Sequence, residues 1–390
     1  MRPSGRRRGP DAIVPSEILA GAAALIGAAL AIGAICADQA WFDRHFLPVF
    51  FVSRARMVFG ETAARLAVGV LGVVLMLAAR PIARHAAART PSAWAAGVMR
   101  IALALSLAVV GSEGMLRLSY PRAREEAPPS QEPLRRRDAR LGWVFVPARA
   151  GRQVVAGHVI DYAFDAHGDR VADVAHPVDP LRPTILFTGE SIMSGYGLRW
   201  EQSIPALVGA RLRLQTANLA VFGYADDQAY LRLARETARF TRPSAVVILF
   251  SPSLLFRDLD TDRPHLEPGL IWRPASPRWR LDALARFYVP YHSRHDIDRL
   301  IALVRAELAA SVRLARDRHA AALIVVPRFG PEDDVERGLR RRILDDAALP
   351  YVQVELDPAW RMAGDPHPDA RGARAIATAI ADRLSQPVSN

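Results

Sequence analysis

The chain of 390 residues contains no lysine and a single cysteine, Cys36, so every basic residue is an arginine or a histidine. We attribute the missing lysine to codon bias rather than to chemistry. One thiol cannot form an internal disulfide, so the cysteine content does not indicate a compartment. The sequence also lacks metal-ligand spacings and the glycine registers of Walker and dinucleotide loops. We therefore expect neither a metal nor a cofactor.

The formal net charge of +11 is unevenly distributed. Residues 1–140 hold 19 arginines against 10 acidic residues, whereas the remaining 250 residues hold 32 against 30. The excess thus accompanies apolar N-terminal segments, whereas a nucleic-acid-binding protein shows a basic face on its folded domain. We expect a membrane as a partner and no nucleic acid.

Three apolar runs in the first 120 residues are candidate membrane spans, at 18–37, 62–79 and 101–118. The first has 20 uncharged residues, enough for a hydrocarbon core of about 30 Å. A cleaved signal peptide is the alternative for this run, but its length and the later runs favour a retained span. Residues 41–52 mix aromatic and charged side chains, and we interpret them as an interfacial belt.

Orientation follows from the arginines, which are dense at 1–11 and at 80–89. These segments are expected in the cytoplasm, so three spans place the C-terminal domain outside it. The sequence then predicts a multi-pass protein of a bacterial-type inner membrane with a periplasmic domain. If the third run lies only in the interface, the domain faces the cytoplasm instead, and both topologies stay open.

The rest of the chain divides into a linker at 121–140, a small β-rich lead-in at 141–182 and a main domain at 183–390. The linker is rich in proline, glutamate and arginine and has no apolar periodicity. The main domain alternates apolar strands with helices, which predicts a parallel sheet covered on both faces. Its predicted strands are 185–188, 217–221, 245–250, 321–326 and 351–356. Its predicted helices are 203–214, 226–240, 296–319, 331–348 and 371–384.

The central motif is Thr188-Gly189-Glu190-Ser191, which follows the first of these strands. A serine at the carboxyl end of a buried parallel strand lies where open α/β sheets bind ligands. Ser191 is therefore a candidate nucleophile, and its own N–H is a candidate oxyanion donor. The alternative role is a helix N-cap, for which serine is also favoured. Spacing alone does not decide between the two.

Two further elements lie at the same edge of the predicted sheet. Gly223 follows the second strand and can bring its N–H close to a substrate oxygen, although a tight turn explains it equally well. Asp365-Pro366-His367-Pro368 precedes the last helix on a loop stiffened by prolines. A histidine is the usual general base near neutral pH. The coincidence of serine, aspartate and histidine at one edge predicts nucleophilic catalysis.

These blocks together resemble the SGNH, or GDSL, hydrolase superfamily. Residues 189–195 resemble its Gly-Asp-Ser-x-x-x-Gly block with Glu190 in place of aspartate, residues 218–223 its second block, and residues 365–368 its last. The resemblance covers roughly residues 183–385. It implies a flavodoxin-like three-layer α/β/α fold, here preceded by an N-terminal helical transmembrane region.

The resemblance also implies roles for individual residues. Ser191 would be the nucleophile, His367 the base and Asp365 the residue that orients the base, while the N–H groups of Ser191 and Gly223 would bind the oxyanion. Two features depart from the family pattern. Its last block is usually Asp-x-x-His, one residue longer than here, and its third block carries an asparagine at a position where Ser253 aligns best. Ser253 is thus a third candidate oxyanion donor.

Two functions follow as hypotheses. The first is a membrane-anchored serine ester hydrolase or O-acyltransferase that acts on an acyl ester, with an envelope glycan such as a polysaccharide or peptidoglycan as the expected substrate. The second is an envelope binding or scaffold protein that kept the fold and lost catalysis. Reaction of Ser191 with a covalent serine-directed probe separates them.

Overall fold

The computed structural model describes residues 13–87, 91–119, 134–276 and 279–386. These residues form two compact units. The described residues within 1–46, 54–119 and 280–288 make up unit 1. Those within 47–53, 120–279 and 289–390 make up unit 2. The predicted cytoplasmic tail at 1–11 and most of the predicted linker, residues 121–133, lie outside the described residues.

The elements are numbered in chain order. The α-helices of the described residues are α1 (Ile13–Cys36), α2 (Gln39–His45), α3 (Arg54–Ala87), α4 (Pro91–Ser119), α5 (Ser191–Ser194), α6 (Ile204–Leu212), α7 (Asp226–Glu236), α8 (Arg280–Tyr288), α9 (Arg294–Asp317), α10 (Asp334–Arg340) and α11 (Ala370–Ser385). The strands are β1 (Arg135–Asp138), β2 (Gly142–Phe145), β3 (Arg149–Val155), β4 (His158–Phe164), β5 (Arg170–Val171), β6 (Thr184–Thr188), β7 (Gln215–Asn218), β8 (Pro243–Leu249), β9 (His265–Glu267), β10 (Ile271–Arg273), β11 (Ala321–Phe329) and β12 (Tyr351–Leu356).

Unit 1 is helical, and three of its helices are long and apolar enough to cross a membrane. The qualifying segments are Glu17–Cys36, Arg54–His85 and Ala96–Leu118. They overlap the three predicted runs, but α3 extends well beyond the predicted 62–79 on both sides. Its flanks are rich in alanine and arginine, which favour a helix even where the sequence is too polar for an apolar window.

Helices α1 and α3 pack closely through two glycines. A Cβ atom built on Gly27 would lie 2.6 Å from the carbonyl oxygen of Gly72, and one built on Gly72 would lie 2.6 Å from that of Gly27. The helix backbones touch at this point, so no larger residue fits on either side. Close approach through small residues is the usual way for apolar helices to gain packing contacts when the surroundings are equally apolar.

Unit 2 is built on an eight-stranded sheet with the order β12-β11-β8-β6-β7-β5-β4-β3. The first five strands in this order are parallel, and they are the five strands predicted from the sequence. Numbered along the chain, their order is 5-4-3-1-2, the flavodoxin-like arrangement. The predicted fold class is confirmed.

Helices cover both faces of this sheet and complete three layers. Helices α7 and α9 pack on one face in a core that includes Leu186 of β6, and α6 and α11 pack on the other in a core that includes Ile185 and Phe187. All three side chains are at most 1% exposed. Because successive strand residues point to opposite faces, an unbroken apolar run is what a strand buried on both sides requires.

The β-rich lead-in is an extension of the main sheet. Strands β3, β4 and β5 pair antiparallel with one another, and Arg170 of β5 pairs with Asn218 of β7. Residues 135–138, which the sequence assigned to the linker, instead form β1 and pair with β2. Leu134 beside them is only 4% exposed, so an apolar anchor within a polar segment fixes this end of the predicted linker to the fold.

One predicted helix and one stretch predicted as irregular differ from the structure in detail. The helix expected at 331–348 begins at Asp334, because the Asp333 side chain accepts the Glu336 N–H as an N-cap, and it ends in a π-helical turn at Arg341–Asp345. The stretch 251–292, predicted as irregular, contains a 3-10 helix at Pro252–Leu259, the β9–β10 hairpin and α8.

Candidate active site

The strand-to-helix corner after β6 presents Ser191. Gly189 has φ of +144°, and a Cβ atom there would lie 2.7 Å from the Leu249 Cβ, so only glycine fits this bend. Glu190 is the N-cap of α5, since its Oε1 accepts the Ile192 N–H at 3.1 Å. The capping role weighed for Ser191 is thus taken by its neighbour, and the Ser191 hydroxyl is left for other partners.

Ser191, His367 and Asp365 are joined by hydrogen bonds. Ser191 Oγ lies 2.8 Å from His367 Nε2, and His367 Nδ1 lies 2.7 Å from Asp365 Oδ1. The same carboxylate oxygen accepts the backbone N–H of His367 at 2.9 Å. The short Asp-x-His spacing is therefore compatible with a braced imidazole, because one oxygen holds both the ring and the backbone of the histidine.

The protonation state of Asp365 determines which nitrogen of His367 faces Ser191. Partial burial acts to raise the pKa of Asp365, but the side-chain and backbone hydrogen bonds from His367 outweigh it and lower the pKa. Asp365 is therefore a carboxylate at neutral pH and accepts a hydrogen bond from the Nδ1–H of His367. In the neutral imidazole, Nε2 is then the acceptor that faces Ser191.

The loop that carries His367 is fixed at both sides. The Met362 N–H donates to the His367 carbonyl oxygen at 3.0 Å, and the Asp369 N–H donates to the Trp360 carbonyl oxygen at 2.8 Å. Asp369 also caps α11 by accepting the N–H groups of Arg371 and Gly372. These contacts hold the imidazole in place without help from a substrate.

The second block runs alongside the nucleophile strand. The Leu219 N–H donates to Phe187 O at 2.8 Å and the Val221 N–H donates to Gly189 O at 3.3 Å, which leads the chain to Gly223. Gly223 is exposed and has φ of +78°. Within the described ranges, no hydrogen-bond acceptor takes the N–H of Ser191 or that of Gly223. Both remain the predicted oxyanion donors.

Ser253, the third predicted donor, has a different partner. Its hydroxyl donates to Glu336 Oε1 at 2.7 Å, and Arg328 holds the other oxygen of that carboxylate at 2.6 Å. This bond competes with the predicted oxyanion role, which stays a prediction.

Two arginines that sequence reasoning missed flank the Gly223 turn. Arg135 Nη1 lies 3.4 Å from the Phe222 carbonyl oxygen, and Arg257 Nη1 donates to the Tyr224 carbonyl oxygen at 3.1 Å. Burial lowers the pKa of Arg135, although the nearby Tyr196 and Tyr224 act in the opposite direction. Positive charge thus surrounds the turn. Arg135 falls in a segment whose composition indicates a linker, so no sequence signal pointed to it.

The imidazole of His367 is enclosed by two aromatic rings. The Tyr196 ring lies 4.6 Å from it and the Phe51 ring lies 5.0 Å from it, measured between centroids. Phe51 belongs to the segment at 41–52 that the sequence analysis interpreted as an interfacial belt. Residues 47–52 pack into unit 2, and their location at a membrane interface stays a prediction.

The loop at Leu47–Ser53 is fixed within unit 2 by burial and by hydrogen bonds. Phe50 is 6% exposed, its ring packs on Phe329 at 5.2 Å, and its N–H donates to the Ser253 carbonyl oxygen at 3.2 Å. Arg361 stacks on Phe329 at 3.7 Å and contacts the Phe50 carbonyl oxygen at 3.4 Å. A loop between two helices of unit 1 therefore supplies one wall of the candidate site.

We expect Phe51→Ala to lower kcat/KM for ester hydrolysis roughly three- to tenfold, since an aromatic contact contributes about 0.5–1.5 kcal/mol and here restrains the imidazole. The measurement is steady-state hydrolysis by the full chain in detergent. Val52→Ala, an exposed neighbour in the same loop, is the matched control and should behave as the parent. Equal rates for both variants would mean that Phe51 does not restrain His367.

A buried arginine braces the segment after Ser191. Arg170 is 1% exposed and donates to the carbonyl oxygens of Ser194, Gly195 and Leu198 at 2.6–2.7 Å. Its guanidinium lies 4.4 Å from the centre of the Tyr162 ring. Burial lowers the pKa of Arg170 to about 10, so the group remains a cation at neutral pH.

We expect Arg170→Met to lower the free energy of unfolding by about 3–5 kcal/mol, because three buried carbonyls lose charged donors at once. Thermal melting of the full chain measures the loss. Arg152→Met removes an arginine whose pair with Asp161 is exposed, and exposed pairs contribute at most about 1 kcal/mol. Similar melting temperatures for the two variants would rule out the bracing role.

No protein-family model matches the chain, and no curated protein matches it. Several solved structures are similar to the chain. One is a member of the lipolytic G-D-S-L family from Veillonella parvula, 11% identical, with a TM-score of 0.33, covering 52% of this chain and 99% of its own. Another is a carbohydrate acetylesterase family member from Sinorhizobium meliloti, 12% identical, with a TM-score of 0.32, covering 52% and 97%. A third is an acetyl xylan esterase from Butyrivibrio proteoclasticus, 12% identical, with a TM-score of 0.32, covering 54% and 65%.

The chain is thus similar to GDSL-type proteins and to carbohydrate esterases. At identities of 11–12% and TM-scores near 0.3 these similarities assign no activity, so the functional proposal rests on the chain's own residues.

Proposed function

We propose that the protein is a serine ester hydrolase whose nucleophile is Ser191. The observation that carries this proposal is the chain of hydrogen bonds from Asp365 through His367 to Ser191 at the carboxyl end of the central strand. A nucleophile, a base in hydrogen-bond reach and a group that orients the base are the parts that acyl transfer requires.

The mechanism follows from the geometry. Ser191 Oγ attacks the ester carbonyl carbon while its proton moves to His367 Nε2. The Asp365 carboxylate stabilises the imidazolium and does not itself take a proton. The N–H groups of Ser191 and Gly223 bind the oxyanion, and each such donor contributes roughly 10²–10³ in rate. The imidazolium then protonates the leaving alcohol, and an acyl-Ser191 intermediate remains.

The second half-reaction determines whether the enzyme hydrolyses or transfers. If His367 activates water, the products are an acid and free Ser191. If it activates a sugar hydroxyl, the acyl group moves to a glycan. Three apolar helices support a membrane anchor. An acyl ester of an envelope glycan, such as an exported polysaccharide or peptidoglycan, on the periplasmic side of a bacterial-type inner membrane, is the substrate that this setting favours.

The test is hydrolysis of p-nitrophenyl acetate by the full chain in detergent. We expect saturable turnover that prior treatment with a fluorophosphonate abolishes. A polysaccharide added as acceptor distinguishes transfer from hydrolysis by the appearance of acetylated sugar. Turnover no greater than that of heat-inactivated protein would reject the enzyme and favour a binding or scaffold protein.

A further inference from the structure

The Ser191 hydroxyl has two acceptors for one proton. Its Oγ lies 2.8 Å from His367 Nε2 and also forms a hydrogen bond with Glu190 Oε2. Because Asp365 accepts a hydrogen bond from the Nδ1–H of His367, Nε2 can only accept in the neutral imidazole. A carboxylate is likewise an acceptor only. The hydroxyl can therefore point at His367 or at Glu190, but not at both.

Glu190 is well placed to hold the hydroxyl. Its Oε1 is fixed by the Ile192 N–H at 3.1 Å, which leaves Oε2 to face Ser191. On its other side, Oε2 lies 3.6 Å from Arg257 Nη1. Arg257 is itself held by the Tyr224 carbonyl oxygen, and its guanidinium lies 5.9 Å from the centre of the Phe51 ring.

The charges around Glu190 come from three elements. Arg257 lies on the 3-10 helix after β8, and His367 lies on the loop before α11. The third group is Asp226 of α7, whose pKa is raised to about 8 by burial and by the neighbouring Asp227 and Glu190 carboxylates. Arg257 is the cation that can attract Oε2 away from Ser191.

We propose that Glu190 is a positioning residue that holds the Ser191 hydroxyl in a resting arrangement, and that Arg257 is its alternative partner. When Oε2 turns to Arg257, the Ser191 proton is free to point at His367 Nε2. Attack then forms the bond from Oγ to the carbonyl carbon and transfers that proton to Nε2, while Glu190 neither gains nor loses a proton. The inference rests on the proposed hydrolase function.

Two substitutions separate this role from capping. Glu190→Gln keeps the length and an acceptor for the Ile192 N–H, while its amide N–H can donate to Oγ and leaves the hydroxyl proton to His367. Glu190→Asp keeps a good N-cap but is one methylene shorter, so it withdraws from Oγ. Both variants should release the hydroxyl without dismantling the corner.

The experiment measures the rate of inactivation of the full chain in detergent by a fluorophosphonate at neutral pH. We expect both Glu190 variants to be inactivated roughly three- to tenfold faster than the parent, the factor that one hydrogen bond represents. For p-nitrophenyl acetate, kcat should rise while KM is unchanged. Asp161→Asn, which removes an exposed acid from the β3–β4 hairpin, should match the parent. A lost structural contact would slow the enzyme, so acceleration is specific to this role.

Three outcomes overturn the inference, and they are distinguishable. If the parent is labelled at Ser191 but neither variant reacts faster, the resting arrangement is wrong and the hydrolase proposal stands. If the parent is not labelled at Ser191 at all, both proposals fail. The Arg257→Met substitution provides a second measurement. It should slow inactivation of the parent by the fluorophosphonate and leave inactivation of the Glu190→Gln variant unchanged. An equal slowing of both would also contradict the inference.

Discussion

Ser191→Ala is expected to lower kcat for p-nitrophenyl acetate by roughly 10⁴–10⁶, because it removes the atom that forms the acyl-enzyme. The oxyanion donors and the binding surface remain, so a residual rate of roughly 10³–10⁴ over water can persist. The hydroxyl makes no cap, since Glu190 performs that role, and the substitution should therefore leave the melting temperature close to that of the parent.

The matched control is Ser311→Ala. Ser311 is also buried, at 2% exposed, and its hydroxyl donates within α9 to the Glu307 carbonyl oxygen at 3.0 Å. Both variants lose one buried hydroxyl, but only Ser191 is proposed to react. Comparable activity in the two variants, whether high or low, would mean that Ser191 is not the nucleophile.

His367→Ala has the second largest expected effect, a fall in kcat of roughly 10³–10⁵, because Ser191 then lacks a base and the leaving alcohol lacks an acid. The deletion opens a space between the Phe51 and Tyr196 rings, which enclose the imidazole at 5.0 and 4.6 Å. Imidazole added to the solution should therefore restore part of the activity to this variant.

His176→Ala serves as the control, since its side chain is 83% exposed and its ion pair with Asp173 lies at the surface. This variant should keep parental activity and show no response to imidazole. The role of His367 as general base would be contradicted if His367→Ala kept a rate near that of the parent and imidazole accelerated neither histidine variant.

Much of the fold could be predicted because its physical signals are local. Strands buried on both faces require unbroken apolar runs, and 185–188, 245–250 and 321–326 show them plainly. The strand order places Ser191 at the position where the chain reverses its winding, between β6 and β8, and ligand sites form at that reversal in open α/β sheets. Ser191, His367 and Asp365 could be proposed from the sequence for the same reason, since each follows a strand or precedes a helix at one edge of the sheet.

The remaining parts of the site depend on contacts between distant segments. Phe50 contacts Arg361, which lies 311 positions later in the chain. In the sequence, a segment of aromatic and charged residues beside apolar helices indicates a membrane interface and not a wall of an active site. Arg170 reads as an ordinary strand residue until its three carbonyl partners are seen. The capping role of Glu190 and the Glu336 partner of Ser253 likewise depend on side-chain directions that spacing does not determine.

The most direct test of the central proposal is mass spectrometry of the full chain after reaction with a fluorophosphonate. We predict a single adduct per chain, located on the peptide that contains Ser191, formed in parallel with loss of esterase activity and absent from the Ser191→Ala variant. An intact Ser191 peptide after complete inactivation, or an adduct on another residue, would contradict the assignment of Ser191 as the nucleophile.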